Sequence, residues 1–146
     1  MGRLLLVSIV GAAAAINKTV ISTDDAPAAI GPYSQGIMIT MASGEHMVHA
    51  AGQVGVDPST GILVPGGIKA ESKQVMENIK AIMGKAGAGM SDILECTCLM
   101  ADLNEYSDFN SVYAEYFDNA PPARAAVEVS ALPLSARVEV KCSAAF

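Results

Sequence analysis

Arg124 stands between two alanines in Pro122-Ala123-Arg124-Ala125-Ala126 and opens a stretch of small and apolar residues. A guanidinium with such small neighbours leaves room for a small planar anion. Its fork of N–H donors matches a carboxylate through two parallel hydrogen bonds. Taken alone, the same residue also reads as a solvent-facing strand arginine or as half of an Arg124–Glu139 ion pair, and its type and spacing leave these alternatives open. Two other places put polar groups where packing explains little. One is the run Ala29-Ile30-Gly31-Pro32-Tyr33-Ser34-Gln35, and the other is Asn110, inside a helical stretch. Further on, Arg137, Glu139 and Lys141 alternate with Val138 and Val140, which on a strand puts the charged residues on one face.

Other chemistries find no tools. His46 and His49 are an odd number of residues apart on an expected strand, point to opposite faces and cannot form a simple metal pair. A serine or cysteine nucleophile needs a histidine partner, and neither histidine sits in such a signature. Gly84-Lys-Ala-Gly-Ala-Gly89 is rich in glycine but ends a helix, so it reads as a helix C-cap and not as a phosphate loop. Cys96 and Cys98 share a strand face with Leu94 and Met100. They read as two small buried thiols rather than a metal or redox pair, and three cysteines without a regular framework speak against a disulfide-stapled fold.

The elements that must position these residues follow from pattern. Strands are expected at Lys18–Thr23, Gln35–Met41 and His46–Val54, with a turn-rich stretch from Asp24 to Ser34 and a hairpin connection over Ala42–Glu45. A loop covers Asp57–Gly61 and Pro65–Gly67. Val75, Ile79, Ile82, Met83 and Ala86 recur at spacings of three and four, which predicts a helix over Ile68–Lys85 ending near Gly87. A strand over Asp92–Ala101 precedes a second helix, Glu105–Phe117, with Asn104 as its N-cap and Tyr106, Phe109, Tyr113 and Tyr116/Phe117 turned toward the sheet. Strands Arg124–Ser130 and Arg137–Ala144 close the chain. The order β-β-β-α-β-α-β-β is an α+β layout, with two helices on one face of a mixed sheet.

Bulk composition narrows the function. At 146 residues the chain fits one domain, residues 17–146, behind an apolar extension, residues 1–16. That extension has one Arg before an apolar run. It reads as a targeting or processed segment or a docked arm, and is too short to span a bilayer. Charged residues make up 16% of the chain, below the roughly one quarter usual for a soluble monomer, which suggests that a second subunit covers apolar surface. The other sheet face needs a cover too, and only one layer of helices exists. A net charge of −6 is poorly suited to the phosphate contacts that dominate nucleic-acid affinity, so nucleic acid is not expected as the main partner.

Several segments together carry a resemblance to a known family. Ala26-Pro-Ala-Ala-Ile-Gly-Pro-Tyr-Ser-Gln35 resembles the amino-terminal signature of the reactive-intermediate deaminases (Rid), RidA subgroup. Gly52-Gln53 after a strand, Asp102-Leu-Asn104 before the second helix, and Pro122-Ala-Arg124, Leu132-Pro133 and Val138-Glu139 match the family's later signatures in order. The resemblance runs from about Lys18 to Ala145.

It implies a chorismate-mutase-like fold assembled as a homotrimer around a central barrel, with active sites between subunits. The implied reaction is hydrolysis of 2-imino and 2-enamino acids (2-iminopropanoate, the tautomer of 2-aminoacrylate, and 2-iminobutanoate) to 2-oxo acids and ammonia. Neither cofactor nor metal is implied, and the ligand is a small 2-imino or 2-oxo acid. Position by position, Arg124 matches the family's carboxylate-binding arginine and Glu139 the glutamate that places or activates water. Tyr33 and Asn110 match pocket residues, and the backbone at Gly52 matches a wall of the cleft. Ala51, Ala126 and Lys141 depart from the frequent Ser, Cys and Glu, which bears on substrate preference. The alternatives are a ribonuclease or translation inhibitor, and a trimer that binds small ligands without turnover. The expected compartment is the cytoplasm or the mitochondrion, with secretion the lesser possibility.

Overall fold

The computed structural model describes residues 16–117 and 120–146. Residues 1–15 of the expected extension lie outside them. Six strands form the main path of a sheet in the order β1 (Asn17–Ile21), β2 (Gly36–Thr40), β3 (His46–Ala50), β9 (Val138–Ala145), β7 (Ile93–Met100) and β8 (Ala123–Glu128). A seventh short strand, β4 (Gln53–Val54), also pairs with β9. Only β7 and β8 run parallel; the other pairs are antiparallel. The mixed α+β layout is the one the sequence predicts.

Helix α1 (Gly67–Ala86) buries Val75, Ile79, Ile82 and Met83 of the predicted stripe completely and Ala86 in part, and adds Met76 to the buried face. Its end has a stereochemical cause. Gly87 takes a left-handed conformation (φ 95°), its N–H bonds Gly84 O, and the next N–H, of Ala88, bonds Met83 O. Asn78, fully buried on this helix, donates to the carbonyls of Val54 and Val56 and so fixes the loop that carries the site.

Several local expectations are corrected. The stretch His46–Val54 is not one strand. Between the pairs His49–Ser143 and Gln53–Val140 it contains one residue more than β9, so a bulge forms at Ala51-Gly52. The loop after it contains a two-stranded hairpin, β5 (Val56–Asp57) with β6 (Ile62–Leu63). Asn104 is not the cap of the second helix. The Asp102 side chain accepts from Asn104 N, a tight turn follows over Leu103–Glu105, and only Tyr106–Tyr113 is α-helical (α2) before a second tight turn, Ala114–Tyr116. Phe109 and Tyr113 pack into the core as expected. Tyr116 turns instead to α1, where its hydroxyl donates to Glu77 and Lys73 O.

The cysteine reading also changes. A register shift between Ile93 and Glu95 turns Ile93 inward and leaves Leu94 exposed, so Leu94 does not share the face of Cys96, Cys98 and Met100. Cys96 lies directly across from Cys142 and is joined to it by a disulfide, while Cys98 alone is a buried free thiol. Two cysteines 46 residues apart become neighbours only through this register.

Beyond the helix-covered core, no described element covers the second sheet face. It presents Val20, which is 61% exposed, and Val127, alongside Thr97, Lys141, His49 and Ser143. No described helix is long and apolar enough to cross a membrane.

Candidate active site

The predicted site residues fall into two groups. The first is built around Arg124 on the edge strand β8. Its Cα partner on β7 is Cys96, so its side chain rises on the helix side of the sheet. There α2 presents Tyr106, Asn110 and Tyr113, spaced by four and three residues and hence on one helix face. Arg124 Nη2 donates to Asn110 Oδ1 at 2.7 Å and to Tyr106 Oη at 2.6 Å. Its guanidinium carbon lies 4.5 Å from the centroid of the Tyr113 ring. The Tyr113 ring and two neutral acceptors thus hold the guanidinium in place. Arg124 forms no ion pair among the described residues, and its remaining N–H groups on Nη1 and Nε have no partner there. The neighbouring Ala123 and Ala125 are exposed and leave the edge open.

The second group surrounds a cavity of about 550 Å³ lined by Tyr33, Gly52 and Glu139, with Ala51, Leu134 and Ile30 among the other walls. Gln35 anchors the segment that leads to its Pro27 wall. Its buried amide accepts from Thr23 N and donates to the carbonyls of Thr23, Ala26 and Pro27, which ties residues 23–27 to β2. The Tyr33 hydroxyl accepts from Ile30 N at 3.2 Å. The bulge brings the Gly52 backbone against Glu139: a Cβ at position 52 would fall inside the carboxylate, so only glycine leaves the acid where it stands. Leu134, also in the lining, and the next residue, Ser135, are consecutive left-handed residues with side chains (φ 59° and 57°), at a cost of about 1–2 kcal/mol each. Strain of this kind gathers where a ligand must be met.

Each group gathers its predicted members, but the chain does not unite the two. Glu139 lies across from Leu99 and Arg124 across from Cys96. Leu99 and Cys96 are an odd number of residues apart on β7, so the carboxylate and the guanidinium project from opposite faces of the sheet. The Arg124–Glu139 pair is therefore not formed within one chain. Sequence reading missed Tyr106 and Tyr113 as the support of Arg124, because aromatic residues at helical spacing read first as core. It also missed Leu134 and Ile30 as cavity walls, although Ile30 lies inside the run Ala29–Gln35 that the sequence singles out.

The histidines separate as their spacing predicts. His46 Nδ1 sits 3.0 Å from Thr40 Oγ1, and His49 Nδ1 sits 3.0 Å from Ser143 Oγ on the uncovered face. No carboxylate orients His49 among the described hydrogen bonds, so this Ser–His contact lacks the third member of a hydrolytic triad. Nor do the described residues contain a group of three or more His, Cys, Asp or Glu fit to hold a metal. Of the departures from the family pattern, Ala51 lines the cavity, Ala126 lies beside Cys98 on the Arg124 face, and Lys141 is exposed.

Under the Arg124 group lies Cys98. Burial pushes its thiol from 9.0 up to about 11, against a downward pull from the Arg124 guanidinium. The folded chain therefore holds this proton more tightly than the unfolded one. The resulting stability is complete below pH 9 and is lost as pH rises through 11, a loss of at most about 3 kcal/mol. Burial raises the Tyr113 and Tyr116 phenols as well, which adds to the loss from pH 10 upward. Urea denaturation at pH 8 and pH 11 is expected to show Cys98→Ala losing less stability between the two than the parent. An equal loss would assign the step to the phenols alone.

Comparison with known proteins places the chain in a family. Residues 23–146 match the family described as Endoribonuclease L-PSP. A cattle (Bos taurus) protein named 2-iminobutanoate/2-iminopropanoate deaminase is 44% identical over 127 residues, 87% of this chain and 89% of its own. Among solved structures, RidA from the Antarctic bacterium Psychrobacter sp. PAMC 21119 superposes with a TM-score of 0.82 at 38% identity, covering 88% of this chain and 99% of its own. E. coli TdcF with bound serine gives 0.79 at 34%, covering 88% and 98%. The chain belongs to the Endoribonuclease L-PSP family, the YjgF/Rid proteins.

Proposed function

We propose that the protein hydrolyses 2-imino acids to 2-oxo acids and ammonia, at sites where Arg124 and Asn110 of one chain meet Tyr33, Gly52 and Glu139 of a second copy in a closed homotrimer. One observation carries the reading. Arg124 is a half-buried cation with neutral supports and free donors at an open strand edge, on the far side of its own sheet from the acid it needs. A second chain supplies what the first lacks, and it covers the exposed sheet face as well. The names of the relatives support the reaction, and the serine bound to TdcF supports a small ligand with a carboxylate.

The chemistry asks little of the protein beyond orientation. The iminium carbon is electrophilic, and its carboxylate takes the free edge of the Arg124 fork. Glu139 accepts a proton from water as the water attacks that carbon, then returns it to nitrogen as the carbon–nitrogen bond breaks. The sum is R–C(=NH2⁺)–COO⁻ plus water giving R–CO–COO⁻ plus ammonium. Tyr33 walls the side-chain end of the cavity.

Mixing two inactive variants tests the arrangement. Arg124→Ala chains and Glu139→Gln chains, unfolded together and reassembled, are expected to regain roughly a quarter of parental activity, because a ring of heterologous contacts restores about one interface in four. No recovery in mixed assemblies of parental size would refute sites shared between chains.

The family description favours a second reading, RNA cleavage. The net charge of −6 and the separated histidines weigh against it. RNA cleavage lost in Arg124→Ala along with imine hydrolysis would support it; cleavage that survives the change would point to a contaminant.

A further inference from the structure

Stability alone does not account for one charged cluster in this fold. Glu71, near the start of α1, is only 6% exposed. Its Oε2 accepts the backbone N–H of Arg137 at 2.8 Å, and its Oε1 lies 3.9 Å from Arg137 Nε. At the far end of the same guanidinium, Nη1 donates to Glu105 Oε1. Taking a carboxylate out of water costs free energy that an ion pair offsets only in part, so an apolar residue at position 71 would stabilise the fold at least as well. The Arg137 side chain is half open to solvent, and its arm to Glu105 adds little stability either.

The cluster joins the segments that carry the two half-sites. Arg137 directly precedes β9 and stands two residues before Glu139, just after the turn whose Leu134 lines the cavity. Its carbonyl accepts from Ala101 N, which ties the start of β9 to the end of β7. Glu71 also abuts the loop behind Gly52, since a Cβ at Gly55 would fall 2.7 Å from Glu71 Cα. On the other side, Glu105 immediately precedes Tyr106, whose hydroxyl accepts from Arg124. The same turn is tied to β8, the strand of Arg124, by Leu103 N donating to Glu128 Oε2. We propose that Arg137, gripped by Glu71 and Glu105, is a positioning residue for the deamination. It fixes the start of the Glu139 strand against the turn that supports Arg124, and so sets the aim of both groups in the two clefts to which one chain contributes. This rests on the deaminase reading of those clefts. All of the contacts lie within one chain and do not depend on the second copy that closes each cleft.

The test reads kcat and KM separately for 2-iminopropanoate hydrolysis, on assemblies of parental size well below their unfolding temperature. Arg137→Met keeps the reach of the side chain and removes both charged arms. It is expected to lower kcat/KM about ten- to a hundredfold, because a displacement of about 1 Å at a reacting group costs about 10². The two arms split. Glu105→Gln loosens only the support of Arg124, so KM rises about three- to tenfold while kcat stays within about twofold. Glu71→Ala frees the start of β9, so kcat falls about tenfold with KM little changed. Glu71→Gln keeps an acceptor for the Arg137 N–H and restores most of that kcat. Glu105→Gln is mild enough to fold even if Arg137→Met or Glu71→Ala does not. Parental kcat and KM in every variant that assembles, or an equal loss in all of them with no split between the arms, overturns the assignment and leaves the deaminase standing. A parent that does not accelerate the reaction over its spontaneous rate overturns both.

Discussion

Arg124→Ala is expected to lower kcat/KM for 2-iminopropanoate hydrolysis by about 10²–10⁴ while leaving the fold intact. The magnitude follows from two charge-assisted hydrogen bonds to the substrate carboxylate, each worth about 1.5–3 kcal/mol if kept in the transition state. The intact fold follows from position. Arg124 lies at the open end of an edge strand, and its partners Tyr106 and Asn110 keep access to water once it is gone. Arg124→Lys separates charge from shape. It keeps the cation but loses the planar fork and its contact with the Tyr113 ring, so a loss of at least about tenfold is expected. Ammonia release from freshly generated 2-aminoacrylate measures all three proteins. Activity of Arg124→Ala near the parental level would remove the basis of the proposed function.

The pieces of this site were legible in the sequence to different depths, for reasons that lie in the fold. Arg124 stood out among its alanines, but its type and spacing left a surface arginine or an ion pair open and the family resemblance chose among them, whereas the α1 stripe was readable because local periodicity decides it. That Arg124 and Glu139 face apart was not readable, since it depends on β7 inserting between β8 and β9, a long-range order that no local pattern encodes. The Cys96–Cys142 pair was hidden for the same reason. Leu94 was misplaced because strict alternation assumes a regular strand, and the register shift at Ile93/Glu95 breaks it. The bulge at Ala51-Gly52 was missed because strand-forming residues flank it, Met47 and Val48 before and Val54 after, although the glycine was its one available sign.

That bulge makes the second large effect specific. Glu139→Gln keeps the size of the side chain and removes its capacity as a base, so kcat is expected to fall about 10²–10⁴. Gly52→Ala changes no chemical group, yet its Cβ occupies the space of the Glu139 carboxylate. Because the clash is with the far end of a side chain and not with backbone, the chain folds and the acid moves instead. A displacement of about 1 Å at a reacting group costs about 10² in rate, and this is the loss expected for Gly52→Ala. If both changes act through the same carboxylate, their effects do not add: the double variant Gly52→Ala/Glu139→Gln should be about as active as Glu139→Gln alone. Multiplying losses would mean that Gly52 serves the reaction by another route, such as its own backbone contact with substrate. Parental activity in Gly52→Ala would mean that the carboxylate position fixed by the bulge is not the one that catalysis uses.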